Sequence, residues 1–301
     1  MDLASMARPT ALVLSGGASL GSTQVGMLRA ALESGFSPDL VVGTSVGAFN
    51  GAVVACHRER SADVLDAVWR AVDRAAVFPE GVLQRAVLLA RTRRHLFSNR
   101  ALQRLIDDNL PFQKFDELAL PLGVVATDVR SGRPVLFTEG PLRPALLASA
   151  AIPGLFPHVQ HEGHELTDGG LVANVPIRQA IAMGAKSALV LDAGQACHER
   201  RAPAHLAETL AYAASILLRN QVTSDVRAVA RNNLVVHVPP LCVEVSPFDF
   251  SHTARLIEEG YQMARRFFTE LQVADSGLFG GPYRHEPATD SIAQRTHLNH
   301  W

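Results

Sequence analysis

Short runs of consecutive apolar residues alternate along this chain with longer segments whose apolar positions recur every three or four residues. The short runs are typical of buried strands, and the periodic segments are typical of amphipathic helices. This alternation predicts an α/β fold in three layers, with a mostly parallel central sheet and helices on both faces. The predicted strands are 11–14, 40–43, 121–127, 134–138, 187–192 and 234–238, and the predicted helices are 22–34, 46–56, 62–72, 142–149, 176–183, 204–231 and 252–272.

The remaining segments predict one domain followed by a tail. A less regular helical stretch is expected at 80–109 and a hairpin at 158–167, and no linker separates the elements between residues 8 and 273. We therefore assign 8–273 to a single domain. Residues 274–301 are rich in Gly, Pro, His and polar residues without periodicity, which predicts a loosely ordered C-terminal tail.

The segment from Gly43 to Gly47 follows the apolar strand at 40–43 and leads directly into a predicted helix. A Gly-x-Ser-x-Gly sequence at a sharp strand-to-helix turn is typical of a nucleophile elbow, in which the two glycines keep Cβ atoms out of a crowded backbone. The positive end of the helix dipole would favour negative charge near the serine. Ser45 is therefore a candidate nucleophile, although a tight turn carrying an inert serine has the same sequence.

A second glycine-rich turn, from Gly16 to Gly21, follows the first strand. Such turns leave backbone N–H groups free to bind an anion. A phosphate-binding loop would need a lysine after Gly21, and a dinucleotide fingerprint would need glycine where Ala18 stands. The third interpretation is an oxyanion hole for Ser45, because parallel neighbouring strands bring both turns to one edge of the sheet.

The third candidate element is Asp168-Gly169-Gly170. An aspartate before two glycines can be held in an open turn with its carboxylate exposed to a partner. Asp-Gly is also a very common hairpin turn, so this element alone favours an ordinary turn.

Together these segments resemble the patatin-like phospholipase family, in which a Ser–Asp dyad hydrolyses lipid acyl esters. The resemblance runs from Ala11 to about Asp192 and rests on segments that occur in the family's order. They are Gly16–Gly21, Gly43–Ala48, Ala126–Val135, Ser149–Pro157, Asp168–Gly170 and Asn174–Pro176.

The resemblance implies a patatin-like three-layer fold, Ser45 as nucleophile and Asp168 as its base, without a cofactor or metal. It also implies an oxyanion hole built from the backbone amides of Gly16, Gly17 and Ala18. The chain departs from the family at Leu20, where a basic residue is frequent, and at Ala18, where a third glycine is common. Since aspartate is a weak base, with a reference pKa near 3.9, we expect a dry site to raise its basicity.

Other functions remain open from the sequence. A Ser–His–Asp esterase would draw its histidine from the late part of the chain, where four are candidates: His198, His205, His237 and His252. A non-catalytic lipid-binding regulator could retain the same fold. An acyl-carrier transferase would need a histidine beside the nucleophile, where Thr44 stands.

Composition and charge limit the partners. The formal net charge of −1 gives no basic field for nucleic acid, and 48% hydrophobic residues suffice for a thick core. No signal peptide or membrane-spanning run is recognised, and the three cysteines are interpreted as reduced thiols, which predicts a cytoplasmic protein. Peripheral contact with the inner membrane face is expected to come from the segment 82–94, although a cap helix packed on the sheet is somewhat favoured for this segment. His158, His161 and His164 lack a matched fourth ligand, so a surface hairpin is favoured over a metal site.

Overall fold

The computed structural model describes residues 3–78, 95–194, 205–271 and 276–281, and a nine-stranded sheet forms its centre. The strands are β1 Thr10–Leu14, β2 Leu40–Thr44, β3 Leu122–Asp128, β4 Pro134–Phe137, β5 Val159–His161, β6 His164–Asp168, β7 Ser187–Leu191, β8 Leu234–Val238 and β9 Gly277–Gly280. The helices are α1 Ser22–Glu33, α2 Val46–His57, α3 Ser61–Ala71, α4 Arg74–Val77, α5 Arg100–Asn109, α6 Leu142–Ser149, α7 Gly170–Ala173, α8 Ile177–Ala182, α9 Leu206–Ala230 and α10 Thr253–Glu270. These bounds confirm the strands and helices predicted from the sequence within the described residues.

The sheet is mostly parallel, as predicted. Hydrogen bonds connect the strands in the succession β5-β6-β3-β2-β1-β7-β8-β9, with β4 also paired to β3. The six strands from β3 to β9 in this succession run parallel, whereas β4 and β6 are antiparallel to β3. Because β1 lies between β2 and β7, the turns that follow these three strands meet at one edge of the sheet.

One register detail positions the site. Val125 pairs with both β2 and β4, and Ala126 pairs with both β4 and β6, so β2 and β6 lie on the same edge of β3. Thr44, the last residue of β2, lies opposite Val125, and Asp168, the last residue of β6, lies opposite Ala126. The ends of the two strands therefore meet at consecutive positions of β3.

Helices cover both faces and bury the apolar strand positions. One core joins alternate strand residues such as Leu12 and Val41 to α1, α2, α3, α6 and α10. The other joins Val13 and Val42 to α8 and α9. All five residues of β1 and of β2 are buried, which explains their nearly continuous apolar sequences.

Three expectations differ from the structure or lie outside it. Residues 277–280, assigned from the sequence to the tail, form edge strand β9, where Leu278 and Phe279 pack on opposite faces of the sheet. The segments 79–94 and 282–301 lie outside the described residues.

The cysteines also differ from the expectation. Cys242 is disulfide-bonded, so the expectation of three reduced thiols is wrong, and the argument from thiols to a cytoplasmic location loses its basis. Cys56 is a free, half-buried thiol whose pKa is raised to about 11 by burial.

Candidate active site

Ser45 stands on the turn between β2 and α2 in a conformation that few side chains adopt. Its φ of 55° and ψ of −124° lie in a region that favours glycine. A Cβ atom on Gly43 would lie 2.2 Å from the carbonyl oxygen of Gly47, and one on Gly47 would lie 2.3 Å from the carbonyl oxygen of Leu14. The two glycines of the elbow are therefore required by close backbone approach, as the sequence predicted.

Ser45 and Asp168 are in direct contact. Ser45 Oγ donates a hydrogen bond of 2.7 Å to Asp168 Oδ2. The other carboxylate oxygen accepts a 2.7 Å hydrogen bond from the Gly170 N–H, and Thr127 Oγ1 donates to the Asp168 carbonyl at 2.8 Å. A Cβ atom on Gly169 would lie 2.2 Å from the Val125 carbonyl oxygen, so this turn needs glycine to pack against β3.

The Ser45–Asp168 pair is shielded from water but not sealed. Ser45 is 8% exposed and Asp168 is 6% exposed. Burial raises the pKa of Asp168 to about 6, while the hydrogen bonds from Gly170 and Ser45 act in the opposite direction. The expectation of a dry site that raises the basicity of this aspartate agrees with the structure.

Ser149 holds the elbow from the side, a role that the sequence did not reveal. The backbone N–H of Ser45 donates to Ser149 Oγ at 2.8 Å, and Ser149 Oγ donates to the carbonyl oxygen of Val125 at 2.6 Å. Ser149 belongs to one of the segments that carry the family resemblance. Its contact with Ser45 spans 104 residues of sequence, so no local signal could have assigned it.

The glycine-rich turn lies beside Ser45, but its three predicted donors are not equivalent. The Gly16 N–H donates to the carbonyl oxygen of Asn174 at 3.1 Å and is therefore not available to an oxyanion. The N–H groups of Gly17 and Ala18 have no acceptor within the described part of the chain. Ala18, with φ at 50°, also lines the same cleft as Ser45. The predicted set of donors is thus reduced from three to two.

Of the two departures from the family sequence, only Leu20 has an explanation in packing. Ala18 keeps the left-handed conformation that would favour glycine. Leu20 is buried against Val243, Val245 and Leu256, so an apolar side chain fastens the turn to the segment after β8. Gly21 lies against the elbow helix, because a Cβ atom there would be 2.6 Å from a methyl group of Val46.

An apolar cleft opens at Ser45 between α2, α3, α5 and α6. The space between its walls is about 750 Å³, a figure that includes open solvent. Ser45 is the only polar residue among the described residues that line it, and none of them is charged. Its walls include Phe49, Trp69, Phe78, Leu105, Ile106 and Phe250. The cleft can therefore receive a long apolar group next to the serine hydroxyl.

The late histidines do not meet Ser45. His237 is fully buried, with Nε2 3.0 Å from Asp192 Oδ2, and His252 is near Asp249 on the surface. His205 is an exposed residue before α9, and His198 lies outside the described residues. Within the described residues, the geometry supports a Ser–Asp pair and offers no histidine to complete a triad.

The hairpin histidines also have separate partners. His158 pairs with Glu165 and His164 pairs with Asp128, while His161 lies 3.7 Å from Glu162. The described residues contain no group of three or more His, Cys, Asp or Glu side chains that could hold a metal ion.

The segment 82–94, expected to touch a membrane surface, lies outside the described residues. None of the described helices combines the length and the apolar character that crossing a membrane requires.

Comparisons with known proteins identify the family of this chain. The sequence model of the family described as patatin-like phospholipase matches residues 12–181. The chain is 33% identical over 189 residues to patatin-like phospholipase domain-containing protein 7 of Mus musculus, covering 61% of this chain and 13% of that protein. It is 32% identical over 193 residues to lysophospholipase nte1 of Aspergillus terreus, covering 62% of this chain and 12% of that protein.

Among solved structures, VipD from Legionella pneumophila aligns with a TM-score of 0.48 at 16% identity, covering 90% of this chain and 69% of that one. The chain spans about an eighth of the length of the curated relatives named above. The family match includes the elbow, the glycine-rich turn and Asp168. This chain therefore belongs to the patatin-like phospholipase family.

Proposed function

We propose that this chain is a lipid acyl hydrolase in which Ser45 is the nucleophile and Asp168 is the general base. The observation that carries the proposal is the 2.7 Å hydrogen bond from Ser45 Oγ to Asp168 Oδ2, with Ser45 lining an apolar cleft. Membership of a phospholipase family and a relative named as a lysophospholipase support the same reaction class.

The reaction proceeds in two displacements. Ser45 Oγ attacks the ester carbonyl carbon while its proton passes to Asp168, and the tetrahedral intermediate then releases the alcohol, which takes up that proton. Asp168 next removes a proton from water, which attacks the acyl carbon; as the bond from this carbon to Ser45 Oγ breaks, Asp168 returns the proton to Oγ and the fatty acid leaves. The same carboxylate can serve in both displacements, because it gives up its proton to the leaving group and is ionised again at the end of each one.

The environment of Asp168 makes it a stronger base than an aspartate in water. Its pKa is raised to about 6 by burial, so the carboxylate is ionised at pH 7 and yet takes a proton more readily. The Gly170 N–H fixes Oδ1, which leaves Oδ2 facing the serine. The Asp168 carboxylate is thus both oriented towards the serine, through Oδ2, and made more basic by burial.

The free N–H groups of Gly17 and Ala18 are the proposed oxyanion donors. They lie on the turn next to Ser45, because a Cβ atom on Gly16 would be only 3.3 Å from the Ser45 Cβ. Loss of one such donor lowers kcat by about 10² to 10³ in serine hydrolases. The helix dipole of α2, which begins directly after Ser45, adds to the positive potential at this point.

The cleft favours an acyl chain as the group held during reaction. Its walls are aliphatic and aromatic side chains without charge among the described lining residues, so burial of each CH₂ gains about 0.8 kcal/mol. The polar part of the lipid would remain at the mouth. Reversible contact with a membrane surface and a cytoplasmic location at that surface remain part of this proposal.

The test is ester hydrolysis by the purified chain with a matched pair of variants. Wild type is assayed with p-nitrophenyl esters of graded chain length and with a lysophospholipid, and we expect activity to increase with acyl length. Ser45→Ala and Asp168→Asn should each lose activity by at least about 10³-fold, since each removes one partner of the proton transfer. A fluorophosphonate probe should label Ser45 alone.

The chain supplies a control with the same chemistry outside the site. Ser131 Oγ donates to Asp128 Oδ1 at 2.7 Å, so Ser131→Ala and Asp128→Asn make the same two substitutions at a Ser–Asp hydrogen bond away from the cleft. Both variants should keep nearly full activity. Full activity in Ser45→Ala, labelling of another serine, or equal losses in both pairs would overturn the assignment, and folded protein without any esterase activity would favour a lipid-binding regulator.

A further inference from the structure

A second buried Ser–Asp pair lies behind the glycine-rich turn. Ser15 Oγ donates to Asp192 Oδ1 at 3.2 Å and accepts a 2.8 Å hydrogen bond from the Ala193 N–H. Ser15 directly follows β1 and Asp192 directly follows β7, the neighbouring strand. The pair therefore joins two strand ends at the same edge of the sheet as the candidate active site.

Both carboxylate oxygens of Asp192 contact protein groups. Its Oδ1 also accepts a 2.8 Å hydrogen bond from the Gly194 N–H, and its Oδ2 lies 3.0 Å from His237 Nε2 on β8. Ser15 and His237 are fully buried, and Asp192 is 3% exposed. A solvent-inaccessible serine cannot act as a nucleophile, so this pair needs another explanation.

The turn that carries Asp192 lies directly against Gly17. A Cβ atom on Gly17 would be 2.9 Å from the Ala193 Cβ and 3.2 Å from the Ala193 carbonyl oxygen. The same Ala193 donates its N–H to Ser15, which lies two residues before Gly17. The Asp192–Gly194 turn therefore packs against Gly17 and limits the position of its peptide group.

We propose that Asp192 is a positioning residue, which acts through Ser15 and Ala193 to hold the Gly17 and Ala18 N–H groups where the oxyanion forms. This inference rests on the proposed function, in which those N–H groups stabilise the tetrahedral intermediate. His237 orients the carboxylate, and neither residue touches the substrate. A displacement of the turn by about 1 Å is enough to lower the rate about 100-fold.

Two hydroxyl groups at the opposite end of the same strands provide a matched control. Thr10 Oγ1 and Ser187 Oγ are 3.0 Å apart where β1 and β7 begin, and Ser187 is also fully buried. Ser187→Ala thus removes a buried hydroxyl that joins β1 to β7, at the edge of the sheet away from the site. It should reduce stability without changing kcat.

The experiment measures kcat, KM, the pH profile and unfolding in urea for Ser15→Ala, Asp192→Ala, the double variant, Asp192→Asn and Ser187→Ala. We expect Ser15→Ala and Asp192→Ala to lower kcat by about 10- to 100-fold with KM changed less than about twofold. Asp192→Asn keeps an acceptor oxygen and should recover most of kcat. The double variant should be no worse than the more impaired single variant, because both act through one hydrogen bond.

In all of these variants the midpoint of the pH profile should stay at the pKa of Asp168, since the Ser45–Asp168 pair is not altered. Unchanged kcat in folded Ser15→Ala, multiplicative losses in the double variant, or an equal loss of kcat in Ser187→Ala would each overturn the inference. If Asp192→Ala does not fold, Ser15→Ala alone decides. Failure of the proposed function is recognised separately, by an inactive wild type or an active Ser45→Ala variant.

Discussion

Replacing Asp168 by asparagine should stabilise the protein at neutral pH while it abolishes activity. Burial raises the pKa of Asp168 from 3.8 to about 6, so the folded protein binds this proton more tightly than the unfolded chain does. The resulting contribution to stability is fully present below the unfolded pKa and is lost as the pH rises through about 6. An asparagine does not ionise, and it therefore avoids this loss.

The magnitude follows from the difference between the two pKa values. A difference of about 2 units corresponds to about 3 kcal/mol of the free energy of unfolding, at 1.36 kcal/mol per unit. The free energy of Asp168→Asn minus that of wild type should therefore increase between about pH 4 and pH 6 and remain constant above that range. Other groups titrate equally in both proteins and cancel in the difference.

Urea unfolding of both proteins between pH 4.5 and pH 8 provides the measurement. Asp128 gives a control of opposite sign, because hydrogen bonds from Ser131 and His164 lower its pKa to about 2. Stability from that carboxylate is present above the unfolded pKa, so Asp128→Asn should be less stable than wild type throughout the same range. A constant difference between Asp168→Asn and wild type across the range would refute the reasoning from burial.

Three further outcomes follow from the site. The kcat/KM of wild type should decrease tenfold per pH unit below about 6, because Asp168 must be ionised to accept a proton, and a midpoint near 4 would contradict the raised pKa. The free energy of unfolding in urea should be about 1–2 kcal/mol higher for Ser45→Gly than for Ser45→Ala, since φ of 55° disfavours alanine; equal values would mean that the elbow is unstrained. Gly47→Ala should lose both activity and more than about 2 kcal/mol of stability, because its Cβ would lie 2.3 Å from the Leu14 carbonyl oxygen, and a stable, active variant would contradict the close approach.

The parts of the fold that could be predicted are those whose signal is local. Buried parallel strands such as β1 and β7 are apolar along their whole length, and the helices between them carry a clear period. Strand β9 escaped prediction because four residues with glycine at both ends form a strand only when the edge of β8 supplies the hydrogen bonds. The disulfide at Cys242 likewise depends on proximity in space, which spacing in sequence does not report.

The same limit applies within the site. The pairing of Ser45 with Asp168 was accessible because each residue lies in a recognisable motif. The sequence could not predict that the Gly16 N–H is unavailable as an oxyanion donor. This N–H donates to the carbonyl oxygen of Asn174, a residue 158 positions away that carries no motif for this role. The contacts of Ser149 with Ser45 and of Asp192 with Ser15 also join residues that are 104 and 177 positions apart. Motifs thus indicate which groups are candidates for the reaction, whereas the residues that contact and position those groups are identified only in the folded chain.

The two buried Ser–Asp pairs, Ser45–Asp168 and Ser15–Asp192, share one arrangement. In each pair the aspartate lies at the end of a strand or directly after it, its Oδ1 accepts the N–H of the residue two positions later, and a serine that directly follows a strand donates to the carboxylate. Ser45 has a positive φ and opens onto the apolar cleft, whereas Ser15 is fully buried and accepts the Ala193 N–H. Backbone conformation and access to the cleft, and not the Ser–Asp hydrogen bond itself, therefore distinguish the serine proposed to react from the one proposed to hold the turn.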